Sequence, residues 1–315
     1  MIELLGSSPV FEEMKVRARQ VLARAGAGGR LPPVLIQGET GTGKGLLART
    51  LHLASPRAGA PFVAINCGAI PETLGESEFF GFVRGAHSEA RQPRKGFFEA
   101  ADRGVLFLDE VGLLSEGHQA RLLKVVEDRQ VIPIGSTKPI PIDVWLISAT
   151  NADLSGEVQS QRFRRDLYER LAVMTFTLPP LRERPGDIVE LAQQFLARSC
   201  KEYGLTPKTL APDAQRRLLE HPWPGNVREL SNVIERAALL VDGDVISADR
   251  LELIAPTAPG SPQVKRPAAG TGERRQRIAD ALERQGGNIT RAAADLGVTR
   301  KTLREWMRQE NLYTA

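Results

Sequence analysis

The chain has 315 residues, enough for two to three domains and an ample core, with 42 Lys and Arg against 38 Asp and Glu for a formal net charge of +4. So mild a balance argues against a wholly basic nucleic-acid binder and leaves room for a local basic module. The two cysteines, Cys67 and Cys200, make no disulfide framework and lack metal-ligand spacing with the four histidines, which fits a reducing cytoplasm.

At the N-terminus, MIELLGSSPVFEE lacks a basic-then-apolar secretion signal, and no apolar run approaches membrane-spanning length. A soluble cytoplasmic protein with no membrane partner is expected. Apolar strand candidates then recur at 34–37, 62–66, 105–109, 144–149 and 174–178, separated by helical or glycine-rich segments. That alternation predicts an α/β unit over residues 1–178, a parallel sheet flanked by helices.

Between the run Val34-Leu35-Ile36 and the helical stretch from Leu46 to Leu51 lies GETGTGKG. Its residues, Gly38, Glu39, Thr40, Gly41, Thr42, Gly43, Lys44 and Gly45, read as a phosphate loop. The glycines let backbone N–H groups turn inward toward phosphate oxygens, the helix start adds partial positive charge, and Lys44 reaches the outer phosphates. The plain alternative, a glycine turn with a surface lysine, does not account for the strand before it and the helix after it. ATP is the expected ligand. The residue after the lysine is normally Ser or Thr, whose hydroxyl touches magnesium. Gly45 has no side chain to offer, so Mg²⁺ would lean on the phosphates, on water and on Asp109.

Asp109 closes the unbroken apolar run Val105-Leu106-Phe107-Leu108, the pattern of a strand buried on both faces. Such a strand ends at the carboxyl edge of the sheet, where open α/β folds bind ligands. Glu110 is the candidate to orient or deprotonate the attacking water.

After Pro179-Pro180 the character changes. Residues 186–200, 211–220 and 226–240 show helical spacing with no further strand signal, so a helical subdomain is expected over 179–254. Residues 255–272, rich in Pro, Gly and Ala, read as a flexible linker. From 273 to 315 a small all-α unit follows. Ile278, Ala281 and Leu282 share one helix face, Gly286-Gly287-Asn288 breaks the helix, Ala292 to Leu296 forms a compact second helix, and Gly297 stops it. Thr299 is a good N-cap for a third helix reaching about Gln309. This pattern is a helix-turn-helix, with Thr299, Arg300, Lys301, Thr302 and Arg304 facing DNA and Leu303 and Trp306 packing inward. A three-helix docking or oligomerisation module is the alternative.

These residues together resemble the bacterial enhancer-binding proteins, the AAA+ activators that remodel RNA polymerase carrying sigma-54. The likeness is carried by FVAINCGAI at 62–70, GFFEAADRGVLFLDEVG at 96–112, FRRDLYERL at 163–171, LPPLRERPGDI at 178–188 and WPGNVREL at 223–230. The last unit resembles their Fis-type helix-turn-helix. The resemblance implies an AAA+ P-loop domain with a helical lid, active as a homo-oligomer that goes from dimer to hexameric ring. It implies that Asn66 is a switch residue pairing with Glu110, and that Thr150 and Asn151 sense the terminal phosphate. Arg164 and Arg170 resemble arginine fingers donated to a neighbour's ATP, although Asp166 or Glu169 would also permit simple ion pairs. Arg228 resembles the lid sensor that contacts ATP in its own subunit. Upstream promoter DNA and sigma-54 RNA polymerase are the implied partners.

Two departures from the family pattern stand out. Gly45 occupies a position that is usually Glu. The loop that touches sigma-54, GAFTGA in the family, is here Gly85-Ala86-His87-Ser88-Glu89-Ala90. This change leaves open a second reading, an ATP-binding, DNA-binding regulator of the same fold that does not productively engage sigma-54. Most relatives also carry an N-terminal sensory domain; here the pattern begins at about Leu4, so control by a separate regulatory protein is expected, or the chain is incomplete.

Overall fold

Alternate residues of the central strands pack into two different cores, which is why those strands read as unbroken apolar runs. In the computed structural model, which describes residues 6–28, 31–86, 90, 92–253, 271–285, 288–296 and 300–309, Leu106 and Leu108 face one apolar cluster with Leu35, Leu146 and Leu167. Val105 and Phe107 face another, with Val34, Ile36, Trp145 and Ile147. Burying both faces requires helices on both sides.

The first unit runs through α1 (Pro9–Gly28), β1 (Val34–Gln37), α2 (Lys44–Leu53), β2 (Phe62–Asn66), α3 (Glu72–Phe80), α4 (Phe97–Ala100), β3 (Val105–Asp109) and α5 (Glu116–Asp128). It continues with β4 (Gln130–Val131), β5 (Ile140–Pro141), β6 (Trp145–Thr150), α6 (Leu154–Gln159), α7 (Arg165–Leu171) and β7 (Met174–Thr177). The main sheet has five strands in the order β2-β3-β6-β1-β7, and every pairing is parallel. Because β6 lies between β3 and β1, the ends of all three strands converge at one carboxyl edge. Gln37 stands opposite Thr150, and Asn66 opposite Asp109.

The helical part follows as α8 (Pro185–Glu202), α9 (Pro212–Glu220) and α10 (Asn226–Leu240) around a separate core that includes Phe195, Leu218, Trp223, Leu230 and Ile234. The expectation of no further strand here needs correction. Thr209–Leu210 (β8) pairs in parallel with Val245–Ile246 (β9), a pair too short to leave a periodic signal. The antiparallel pair β4 and β5 also went unread, for the same reason.

Residues 257–315 form a second unit, described by itself. Its helices are α11 (Thr271–Arg284), α12 (Ile289–Asp295) and α13 (Arg300–Gln309). Thr271 opens α11, two residues inside the stretch read as a linker; residues 255–270 lie outside the described residues. Ile278, Ala281, Ala292, Ala293, Leu303 and Met307 form the buried core, with Leu282, Leu296 and Trp306 packed against it. The small alanines let α12 approach its neighbours closely. Asn288 caps α12, its Oδ1 accepting from Thr290 N and Arg291 N at 3.1 and 3.2 Å. Among the described residues, no helix is long and apolar enough to cross a membrane.

Candidate active site

The glycine-rich turn between β1 and α2 takes left-handed backbone at Gly41 (φ 82°) and Gly43 (φ 104°), conformations that favour glycine. A side chain on Gly41 would strike Gly225 O, 2.2 Å from where its Cβ would stand. Lys44 opens α2 with its side chain only 6% exposed. Its Nζ donates to Gly38 O at 2.9 Å and Glu39 O at 3.4 Å, and stands 3.8 Å from Glu110 Oε1. Thr42 Oγ1 donates to Glu39 O at 2.8 Å and braces the same turn.

The acidic end of β3 lies beside this lysine. Asp109 is raised above the ordinary carboxylate range, first by burial and then by the neighbouring Glu110 charge, with Lys44 opposing. Its Oδ1 accepts from Glu110 N at 3.1 Å. Glu110 sits at φ 53°, a left-handed conformation costing about 1 kcal/mol for a residue with a Cβ. That turn takes Glu110 off the strand line, where its Oε2 accepts from Asn151 N at 3.2 Å. Asn151 Nδ2 in turn donates to Thr40 Oγ1 at 3.0 Å. Thr150 is fully buried, its Oγ1 accepting from Ala152 N at 3.0 Å and its carbonyl accepting from Gly38 N at 3.3 Å. The expected loop, acids and polar strand end thus share one edge.

The Asn66–Glu110 pairing implied by the resemblance is not the contact formed. Asn66 Oδ1 instead accepts from Gly68 N at 2.9 Å and caps a short turn, while Glu110 is engaged by Lys44 and Asn151. Next to it, burial pushes the Cys67 thiol up to about 12, so it stays protonated and inert.

A crowded pair of carboxyl groups held by one ammonium suits a divalent cation. Among the described residues no group of three or more His, Cys, Asp or Glu could hold a metal ion alone. Magnesium typically takes one or two carboxylates together with substrate phosphates, and Asp109 fits that part. At Gly45 an added Cβ would meet only Phe107, at 3.7 Å, so packing does not require the glycine.

The lid meets the loop through Arg228 and through two residues that sequence reasoning passed over, Arg182 and Asn226. Glu39 is held by Arg182 at 2.6 and 2.8 Å and by Asn226 Nδ2 at 3.1 Å. These donors bring its carboxyl down to about 2. Arg228 N donates to Gly41 O at 3.3 Å, and its side chain is exposed. The strings RERPGDI and WPGNVREL marked these segments without revealing their contacts.

Arg164 and Arg170 lie at the two ends of α7. Arg164 donates to Asp166 through two nitrogens at 3.1 and 2.7 Å, and Arg170 Nε donates to Glu127 at 3.1 Å. Both are well exposed, and these partners are acids rather than loop residues.

The 85–90 loop springs from a paired stem. Phe82 and Arg94 exchange backbone bonds at 2.9 Å, and Gly85 N donates to Ala90 O at 2.8 Å, closing the neck. Ala86 N bonds Val83 O at 3.2 Å, and Ala90 is buried. His87, Ser88 and Glu89 lie outside the described residues, as does Thr299. Of the other predicted DNA contacts, Arg300 and Lys301 begin α13, Thr302 is half-buried and Arg304 is exposed.

Residues 4–177 match the family model of the sigma-54 interaction domain, residues 182–265 that of the AAA+ ATPase lid domain, and residues 275–309 that of the bacterial regulatory protein, Fis family. The transcriptional regulatory protein ZraR of Salmonella typhi is 43% identical over 304 residues, 95% of this chain and 67% of that protein. The Nif-specific regulatory protein of Azotobacter vinelandii is 45% identical over 272 residues, 84% of this chain and 52% of that protein. This chain therefore matches about half to two-thirds of the length of these relatives. The crystal structure of NtrX from Brucella abortus in complex with ADP is similar at a TM-score of 0.72 and 31% identity, covering 98% of this chain and 70% of that one. The RuvB Holliday junction branch migration motor of Thermotoga maritima, at 0.54 and 17% identity over 97% of this chain and 88% of its own, shares the fold alone.

Proposed function

The chain belongs to the sigma-54 interaction domain family of AAA+ ATPases, and from that premise we propose that it couples ATP hydrolysis to remodelling of sigma-54 RNA polymerase at a promoter bound by its C-terminal helices. The observation that carries this reading is the placement of Lys44 and Glu110, 3.8 Å apart, at the carboxyl edge beside Asp109.

The loop N–H groups and Lys44 would hold the phosphates, and Asp109 would hold a magnesium ion, which would supply positive charge to offset theirs. Glu110 orients the attacking water, or takes its proton. Asn151, bonded to both Glu110 and Thr40, senses with Thr150, which ends the same strand, whether the terminal phosphate is present. Asn66 stands across from Asp109 and acts as the switch once it leaves its cap. Arg164 and Arg170 exchange their acid partners for the phosphates of a neighbouring subunit, so turnover needs a ring, and Arg228 reaches the nucleotide from its own lid. Arg300, Lys301, Thr302 and Arg304, with Thr299 before them, hold promoter DNA.

The departure of the 85–90 loop from GAFTGA favours one rival, a regulator that binds ATP and DNA without opening sigma-54 promoters. Transcription in vitro with sigma-54 polymerase separates the two. ATP-dependent open complexes are expected; ATP turnover and DNA binding without open complexes would install the rival.

A further inference from the structure

Asn226 is fully buried at the first position of α10 and sits at φ 52°, a left-handed conformation that asparagine tolerates better than most side chains. Its carboxamide is fully engaged. Oδ1 accepts from Leu181 N at 2.7 Å, and Nδ2 donates to Glu39 Oε2 at 3.1 Å and Thr40 O at 3.0 Å. One face of the amide thus binds the turn that enters the lid, and the other binds the phosphate loop. Aspartate would lose both donors, and glutamine would overshoot by a methylene.

The surrounding contacts point the same way. Arg182, next to Leu181, donates to both carboxylate oxygens of Glu39 and shares Oε2 with Asn226. The following loop residue, Gly41, lies against Gly225 O and accepts from Arg228 N at 3.3 Å. Glu39, Thr40 and Gly41 are therefore each bonded to the lid, and Arg228 lies two residues beyond Asn226. Thr40 also accepts from Asn151 through its hydroxyl, which ties the same residue to the Glu110 side of the site.

We propose that Asn226 is a positioning residue that locks the lid to the phosphate loop and so sets the reach of Arg228 to the phosphates that the loop holds. This rests on the ATPase reading above and adds to it the element that registers lid against loop. A loop displaced from the lid would still bind phosphate, but Arg228 would no longer be aimed at it.

The test is a double-mutant cycle on the full chain, read as KM for ATP and kcat and as affinity for a fluorescent ATP analogue. Asn226→Gly keeps the left-handed backbone while deleting the amide. It should raise KM about tenfold, with kcat changing far less. Arg228→Ala should cost about tenfold in the parent and less than about twofold in Asn226→Gly, because the sensor is already misplaced. Equal costs in both backgrounds, or a lowered melting temperature with unchanged KM, would overturn the proposal. Asn226→Asp places a second carboxylate against Glu39 and should be worse than Asn226→Gly. Glu39→Gln should restore most of its affinity, since the new amide donates to the aspartate; no rescue would count against the proposal as well. A parent chain that binds no ATP overturns the ATPase reading itself, an outcome distinct from the failure of the coupling alone.

Discussion

Asn151 donates its backbone N–H to Glu110 Oε2 at 3.2 Å, so the end of β6 holds the carboxylate that leaves β3 through a left-handed turn. With Lys44 on the other oxygen, Glu110 is fixed where the glycine-rich loop, the end of β3 and Asn151 meet. Glu110→Gln is expected to keep nucleotide binding and lose turnover by at least about a hundredfold, the scale of a missing general base. Lys44→Ala should instead abolish tight ATP binding. Equilibrium binding beside steady-state hydrolysis checks both. Parent-rate turnover by Glu110→Gln would move the water-orienting role to another residue.

The main sheet was legible because Val105 to Leu108 and Trp145 to Ala149 are buried on both faces, and such runs read plainly as strands. The phosphate loop was legible because left-handed turns at Gly41 and Gly43 demand the residues written there. The two-residue strands at 130–131, 140–141, 209–210 and 245–246 were not, since two residues carry no period. Nor was the grip of Asn226 on Glu39, a contact between residues 187 apart that depends on how the lid docks. The Asn66 cap is a local competitor that sequence reasoning did not weigh, a side chain bonding its own backbone two residues on.

Glu39 offers a pH test. Arg182 first, and Asn226 second, bring its carboxyl from 4.5 to about 2. A depressed carboxylate contributes stability that is fully present above the unfolded value and lost as pH falls through the folded one. The stability gap between the parent and Glu39→Gln should therefore be steady above 4.5 and close between there and about 2. Both side chains of the pair with Arg182 are well exposed, so screening keeps the gap small. Thermal melts at stepped pH measure it, and a gap independent of pH would show that the ionised carboxylate is not what the lid holds.

Gly45 occupies the second position of α2 with room for a Cβ, whose nearest neighbour would be Phe107 at 3.7 Å. Glycine inside a helix is less stable than alanine by roughly 0.5–1 kcal/mol. Gly45→Ala should raise stability by about that amount in denaturant titration without lowering ATP affinity. A loss of affinity would show that loop movement needs the glycine.

Arg164 and Arg170 make exposed ion pairs with Asp166 and Glu127, contacts that solvent screening keeps weak. Their replacement by alanine should barely change stability or nucleotide affinity, while hydrolysis falls by about a thousandfold or more if they act as fingers. Because fingers act on a neighbour, mixing Arg164→Ala with Lys44→Ala subunits should recover some turnover where an intact pocket meets intact fingers. Activity per subunit should also rise with concentration. Concentration-independent turnover from a monomer, established by light scattering, would remove the ring from the mechanism.

The loop at 85–90 carries the sharpest departure from the family and the clearest test of what the ATPase drives. Its neck is held by Gly85 N to Ala90 O at 2.8 Å, by Ala86 N to Val83 O at 3.2 Å, and by the buried Ala90. The stem below is paired through Phe82 and Arg94, with Arg94 also bound to Glu78 at 2.7 and 3.0 Å. None of these contacts uses the side chains at 87–89, so changes there should alter the chemistry of the tip and leave the neck in place. In the family the tip offers an aromatic ring and a threonine. His87 has less apolar area, Ser88 lacks the methyl, and Glu89 brings a charge that is costly to desolvate against a partner and that the proposed ring would repeat. Combining His87→Phe, Ser88→Thr and Glu89→Gly should tighten the complex with sigma-54, formed in the presence of a transition-state ATP analogue, by about tenfold, or roughly 1.4 kcal/mol. Titration by gel shift compares the parent with the triple variant. Equal trapping would show that this loop is already a working equivalent of GAFTGA. Trapping by neither would detach the ATPase from sigma-54 and leave the nucleotide as a switch for DNA binding.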